Sequence, residues 1–107
     1  MATRRRNRKA GRTSLRALVE QHREEIKATA ERHHGRRVRL YGSVARGQER
    51  DGSDIDLLVD FTPGSSLFDL MRLNRELEDL LGTPVDVVSR GGLKPRDQAI
   101  LDEAIDL

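Results

Sequence analysis

Residues 40–61 read LYGSVARGQERDGSDIDLLVDF, and the organisation of the chain follows from this stretch. Asp54 to Phe61 (DIDLLVDF) has the density of Ile, Leu, Val and Phe expected of a strand. Thr62, Pro63 and Gly64 stop it. Asp54 and Asp56 are two residues apart, so on a strand both carboxylates leave the same face, while Ile55, Leu57 and Val59 leave the other toward a core. Upstream, Arg37 to Tyr41 alternates polar and apolar residues and predicts a first strand that ends at Gly42-Ser43. Val44 to Ser53, with Gly47 and Gly52, reads as a loop or a short helix.

Working outward, Ser14 is a helix N-cap candidate. Leu15, Leu18, Val19, His22, Ile26 and Ala30 form one stripe of threes and fours, predicting a single helix that ends near His34 with Gly35 as its stop. Downstream, Ser66 and Asp69 form a capping-box pair, and Leu67, Leu70, Leu73, Leu77 and Leu80 mark a helix stopped by Gly82. Val85 to Val88 predicts a third strand, followed by Gly91 and Gly92. Ile100, Leu101, Ala104 and Ile105 predict a terminal helix after Pro95. Strands alternating with helices give an α/β (α+β) layer fold. The sheet is small and mixed, with three strands and room for a fourth. The polar chemistry converges only if strand one runs antiparallel to strands two and three.

The chain has 107 residues, 36% apolar and 36% charged, with 3% aromatics and no cysteine. Disulfides, cysteine zinc sites and thiol catalysis are excluded. No apolar run approaches the roughly 20 residues a membrane-spanning helix needs, and the basic N-terminus lacks the apolar segment of a secretory leader. A soluble cytoplasmic protein is the expectation. The net charge of +2 is uneven: Arg4, Arg5, Arg6, Arg8, Lys9 and Arg12 lie in residues 1–12 without an acid, leaving 14 basic and 18 acidic groups, net −4, in the rest. Residues 1–12 therefore read as a disordered basic tail and 13–107 as the folded domain. A nucleic-acid contact through the tail is the less favoured reading.

The chemistry concentrates on acids. Two adjacent carboxylates repel and lose hydration when partly buried, so a cation between them is the natural compensation. Hard oxygen donors suit Mg²⁺, which binds a few carboxylates together with substrate phosphates. Asp86 interrupts the apolar run Val85 to Val88 and is placed to complete a three-carboxylate set. Gly42-Ser43 after a strand suits phosphate binding, since glycine admits close backbone approach and the following residues can open a helix whose N–H groups face an anion. His33-His34 project in different directions from a helix end and make a poor metal pair. His22 reads as a core-edge residue, and Tyr41 as packing beside the site.

Gly42-Ser43, ten intervening residues and Asp54-Ile55-Asp56 resemble the signature of the DNA polymerase β-like nucleotidyltransferase superfamily. The string GSVARG…SDIDLLVDF is similar to its minimal nucleotidyltransferase (MNT) branch, stand-alone domains often paired as antitoxins with HEPN-domain toxins. The resemblance spans about Val38 to the C-terminus. It implies the polymerase β-like fold and Asp54, Asp56 and Asp86 as metal-binding catalytic carboxylates, with Asp86 either a ligand or the base that activates the acceptor hydroxyl. It further implies Gly42 and Ser43 on the β/γ-phosphates, Arg46 and Gly47 beside the leaving pyrophosphate, and Ser53 in the nucleotide site. Two Mg²⁺ ions, ATP as substrate and a tyrosine of a cognate HEPN toxin as AMP acceptor complete the expectation, with a homo-oligomer as a further assembly. Val44 stands where many relatives carry a second arginine. Two alternatives are a non-catalytic antitoxin that neutralises its toxin by binding, and a nucleic-acid-binding or -modifying protein acting through the tail.

Overall fold

The Leu-Leu-Val run of residues 57–59 lies in the second strand of a four-stranded sheet, where all three side chains are fully buried. The computed structural model describes residues 14–107. In chain order it contains α1 (Leu15–Gln21), α2 (Arg23–Arg32), β1 (Gly35–Tyr41), α3 (Gly42–Ala45), β2 (Ile55–Phe61), α4 (Leu67–Leu81), β3 (Val85–Ser89), α5 (Gln98–Glu103) and β4 (Ile105–Asp106). Short 3₁₀ turns at Arg90–Gly92 and Pro95–Asp97 lead into α5. The strand order is β3-β2-β1-β4. β1 runs antiparallel to β2 and β4, and β2 runs parallel to β3. The sheet is thus mixed, with the strand directions that convergence of the acids demands, and the fourth strand is present.

Register decides which residues share a face. Val38 pairs Val59, Leu40 pairs Leu57, Ile55 pairs Val85 and Leu57 pairs Val87. These side chains form one core with Val19, Ile26 and Ala30 of the first two helices, Val44 of α3, and Leu73, Leu77 and Leu81 of α4. Truncating Leu57 to alanine leaves a cavity at the centre of this cluster. A loss of about 3 kcal/mol is expected, read as a lower urea midpoint at unchanged slope; a loss below half that would show that the cluster closes the gap.

The predicted helix over 15–34 is two helices. The chain breaks at His22, which caps both α1 and α2 with φ −107° and ψ 16°, and whose Nδ1 lies 3.0 Å from the Leu18 carbonyl oxygen. His22 is half-buried at the edge of the core. The apolar stripe survives the break because Val19, Ile26 and Ala30 still face inward. Gly35 is not the helix stop: His34 takes the left-handed conformation, φ 69°, and Gly35 opens β1. The strand needs a glycine there because a Cβ would come within 2.9 Å of Val59 Cγ1. The terminal helix is also shorter than its sequence pattern suggests, since Ile105 belongs to β4. The basic segment 1–12 lies outside the described residues.

Two caps behave as read. Ser14 Oγ accepts from the Ala17 N–H at 3.0 Å, and the Ser66 N–H donates to Asp69 Oδ2 at 2.8 Å. Gly82 ends α4 with φ 68°. Among the described residues the outer edge of β3 has no strand partner, and α4 covers it by hydrogen bonding. Asn74 donates to the Val85 carbonyl at 2.9 Å and accepts from the Val87 N–H at 2.8 Å. Glu78 accepts from the Val85 N–H at 3.0 Å. The two residues that flank Asp86 are therefore both fixed to the helix. No described helix is long and apolar enough to cross a membrane.

Candidate active site

Asp56 and Asp86 face each other across the parallel β2–β3 pair, and Tyr41 faces Asp56 across the antiparallel β1–β2 pair. Register alone thus puts a phenol and two carboxylates in one row at the end of the sheet. Asp54 lies just before β2 and is exposed, as is Asp86, whereas Asp56 is half-buried. Burial pushes the Asp56 carboxyl up to about 6, and the charges of Asp86 and Asp54 push it the same way. Arg46 acts in the opposite sense. Tyr41 is 9% exposed, and its hydroxyl is pushed up to about 12, first by burial and then by Asp56, Asp86, Glu103 and Asp97. These shifts report a negatively charged, partly desolvated cluster.

The Gly-Ser turn meets this cluster. Gly42 begins α3 with φ +81°, and a Cβ added there would overlap Asp56 Oδ2. Only glycine supplies both the left-handed backbone and the space for that carboxylate. Ser43 follows in α3, half-exposed. The Gly42 N–H donates to Glu103 Oε2 at 2.9 Å, and Arg46 Nη1 donates to both Glu103 oxygens at 2.8 and 3.1 Å. Arg46 Nε also donates to Gln48 Oε1 at 3.0 Å.

The remaining residues predicted for the site have local duties. Gly47, φ +74°, ends α3 through its N–H to the Val44 carbonyl. Ser53 Oγ accepts from the Arg50 N–H at 2.7 Å and closes the 50–53 turn. Gly47 and Ser53 line a separate cleft of about 640 Å³ with Ser14, Arg16, Glu49 and Thr83, and Glu49 caps α1 there by accepting from the Leu15 N–H at 2.7 Å. Asp60, the last acid of the motif strand, is drawn away from the row by a 2.8 Å ion pair with the buried Arg39.

Asp54, Asp56, Asp86, Gly42 and Ser43 therefore gather at one end of the sheet. Among the described residues, no three Asp, Glu or His side chains close into a ready-made metal cage. Sequence reading missed Glu103, which has no motif and reaches Gly42 from 61 residues away. It also missed Asn74, whose only signal is a polar residue in the leucine-rich helix.

Similarity to known proteins agrees with this geometry. Residues 19–107 match the family described as Nucleotidyltransferase domain. A proposed protein adenylyltransferase of Methanocaldococcus jannaschii is 45% identical over 71% of this chain and 83% of its own length. The protein adenylyltransferase MntA of Thermococcus cleftensis is 36% identical over 75% of this chain and 78% of its own. The solved structure of a proposed minimal nucleotidyltransferase superposes with a TM-score of 0.76 at 49% identity, covering 83% of this chain and 92% of that one. The fold is also shared with a structure of a tri-AMPylated Shewanella oneidensis HEPN toxin in complex with MNT antitoxin, at 17% identity and a TM-score of 0.62, over 81% of this chain and 69% of that one. With a nucleotidyltransferase match over most of its length and close relatives of the same small size, this chain belongs to the nucleotidyltransferase domain family and, within it, to the minimal nucleotidyltransferases.

Proposed function

We propose that this chain transfers AMP from ATP to a tyrosine hydroxyl of a HEPN-type toxin in the cytoplasm and so acts as that toxin's antitoxin. The observation that carries the reading is Asp56 set directly opposite Asp86, with the Gly42 turn packed against its carboxylate. The names borne by the relatives, protein adenylyltransferase among them, and the AMPylated toxin in the Shewanella complex favour AMP as the group moved and a toxin as the acceptor.

In the reaction, the acceptor oxygen bonds to the α-phosphorus of ATP. The bond from that phosphorus to the oxygen bridging the β-phosphate breaks, and pyrophosphate leaves. Gly42 and Ser43 hold the β- and γ-phosphates, and Arg46 offsets the charge that builds on the leaving group. Asp86, exposed beside Asp56, is the carboxylate that takes the acceptor proton or shares the cation. Tyr41, held protonated by burial and by its acidic neighbours, packs beside the site.

The donor set fits Mg²⁺. Asp56 is desolvated beside two further carboxylates, a crowding that a hard divalent cation relieves. Asp54, Asp56 and Asp86 would hold it, one or two ions in all. When bound, Mg²⁺ neutralises the triphosphate and lowers the pKa of a bound hydroxyl.

The test is to incubate the purified chain with ATP labelled at the α-phosphate, Mg²⁺ and a HEPN-domain toxin from the same genome. Label on a toxin tyrosine, with loss of toxicity, is expected. A folded pair that takes no label overturns the proposal.

A further inference from the structure

Glu103 is a carboxylate seated where the proposed reaction needs a phosphate. One oxygen accepts the Gly42 N–H, and both lie within 3.1 Å of Arg46 Nη1. A backbone N–H at the mouth of a Gly-Ser turn and a guanidinium are the donors with which proteins grip a phosphate oxygen. The contact is long-range: Glu103 is the last residue of α5, a six-residue helix with no buried residue of its own. Neither partner is locked in the core, since the side chains of Arg46 and Glu103 are 47% and 28% exposed.

The electrostatics make this placement notable. The charge of Glu103 adds to the repulsion on Asp56 and Tyr41, so it worsens an already acidic pocket. Its hydrogen bonds run to Gly42 and Arg46. A substrate triphosphate presents the same anionic oxygens with a higher charge and, accompanied by a cation, without the repulsion.

We propose that Glu103 is an internal stand-in for a substrate phosphate. It fills the Gly42–Arg46 cradle while the site is empty, and a nucleoside triphosphate binds by exchanging for it, releasing α5 from the turn. The inference rests on the nucleotidyltransferase reading of that turn. Two effects follow. The cradle keeps its shape without ligand, and the apparent affinity for nucleotide is lowered by the fraction of molecules in which Glu103 is seated.

The experiment compares Glu103→Gln with Asp102→Asn, which removes the same charge one residue away, where Asp102 accepts from Gln98 Nε2. Binding of Mg²⁺–ATP and of inorganic tripolyphosphate is measured by calorimetry at fixed pH and salt. Glu103→Gln is expected to bind both about tenfold more tightly, the scale of one charge-assisted hydrogen bond, and Asp102→Asn to stay within about twofold of wild type. Independently of any variant, saturating Mg²⁺–ATP should speed amide exchange in residues 98–104 of the wild-type chain and slow it in residues 42–46. Wild type that binds ATP, with Glu103→Gln no tighter than Asp102→Asn or with α5 no freer, overturns the stand-in and leaves the nucleotidyltransferase reading standing. A wild type and a Glu103→Gln variant that both fail to bind Mg²⁺–ATP overturn the two together.

Discussion

Asp56→Asn should reduce AMP transfer on the order of a thousandfold or more, the scale lost when a group that stabilises developing charge is removed. The same variant should be more stable than wild type in metal-free buffer at neutral pH. The sign follows from linkage. The Asp56 carboxyl is pushed up to about 6 in the fold, above the roughly 3.9 of an unfolded chain. The folded state therefore binds this proton more tightly, and its stability falls as pH rises from about 4 through about 6. Asparagine carries no charge and avoids that loss. A gain of about 1–2 kcal/mol at pH 7.5 is expected, reduced from the full linkage value because the group is partly solvated. It should shrink to a small remainder at pH 4, where the aspartate is protonated in the fold and about half protonated in the unfolded chain. Thermal melts in chelator at the two pH values check this, and a variant that is less stable than wild type at pH 7.5, or that keeps its transferase rate, refutes the assignment. Toxin neutralisation read alongside separates catalysis from simple binding. Neutralisation that persists without transfer makes the chain an antitoxin by occlusion.

Gly42→Ala should be the most damaging of the small substitutions. The residue sits at φ +81°, which costs an alanine about 1–2 kcal/mol. Its new Cβ would also collide with the Asp56 carboxylate, adding about 1–3 kcal/mol of overpacking. Either the turn or the Asp56 carboxylate must move, so transfer should collapse even in the molecules that fold. Gly47→Ala is the control. Its backbone is equally left-handed at φ +74°, but no atom lies within 4 Å of the added Cβ. It should lose only the conformational term. Chemical denaturation of the two variants separates backbone strain from collision; equal losses would remove the proposed contact with Asp56.

How far the sequence could be read depends on how local each determinant is. Helix α4 was legible to the residue because its leucine period, the Ser66–Asp69 box and the Gly82 stop all lie within its own length. Strand β2 was legible to within one residue for the same reason. The break at His22 was not, because an apolar stripe reports which side faces the core and is silent on whether backbone bonding is continuous. The stop at His34 was hidden by Gly35, the residue type that normally takes a left-handed turn. Here the glycine is reserved for the close approach of Val59. β4 is two residues long, too short for any period. In the site, the Gly-Ser turn and the aspartate pair were visible as a motif, and Asp86 as a charge in an apolar run. Glu103 was invisible because its partners are set by the path of the chain through space.

The bond from Asn74 to the backbone around Asp86 has a consequence for the life of the protein outside its site. An uncovered strand at the rim of a sheet invites copies of the same chain to stack rim to rim. At the β3 rim, one amide side chain answers the backbone groups that such a neighbour would seek. With those groups already bonded, the β3 rim offers a second copy of the chain little to pair with. Asn74 caps the rim and fixes the two residues that flank Asp86 with the same pair of bonds.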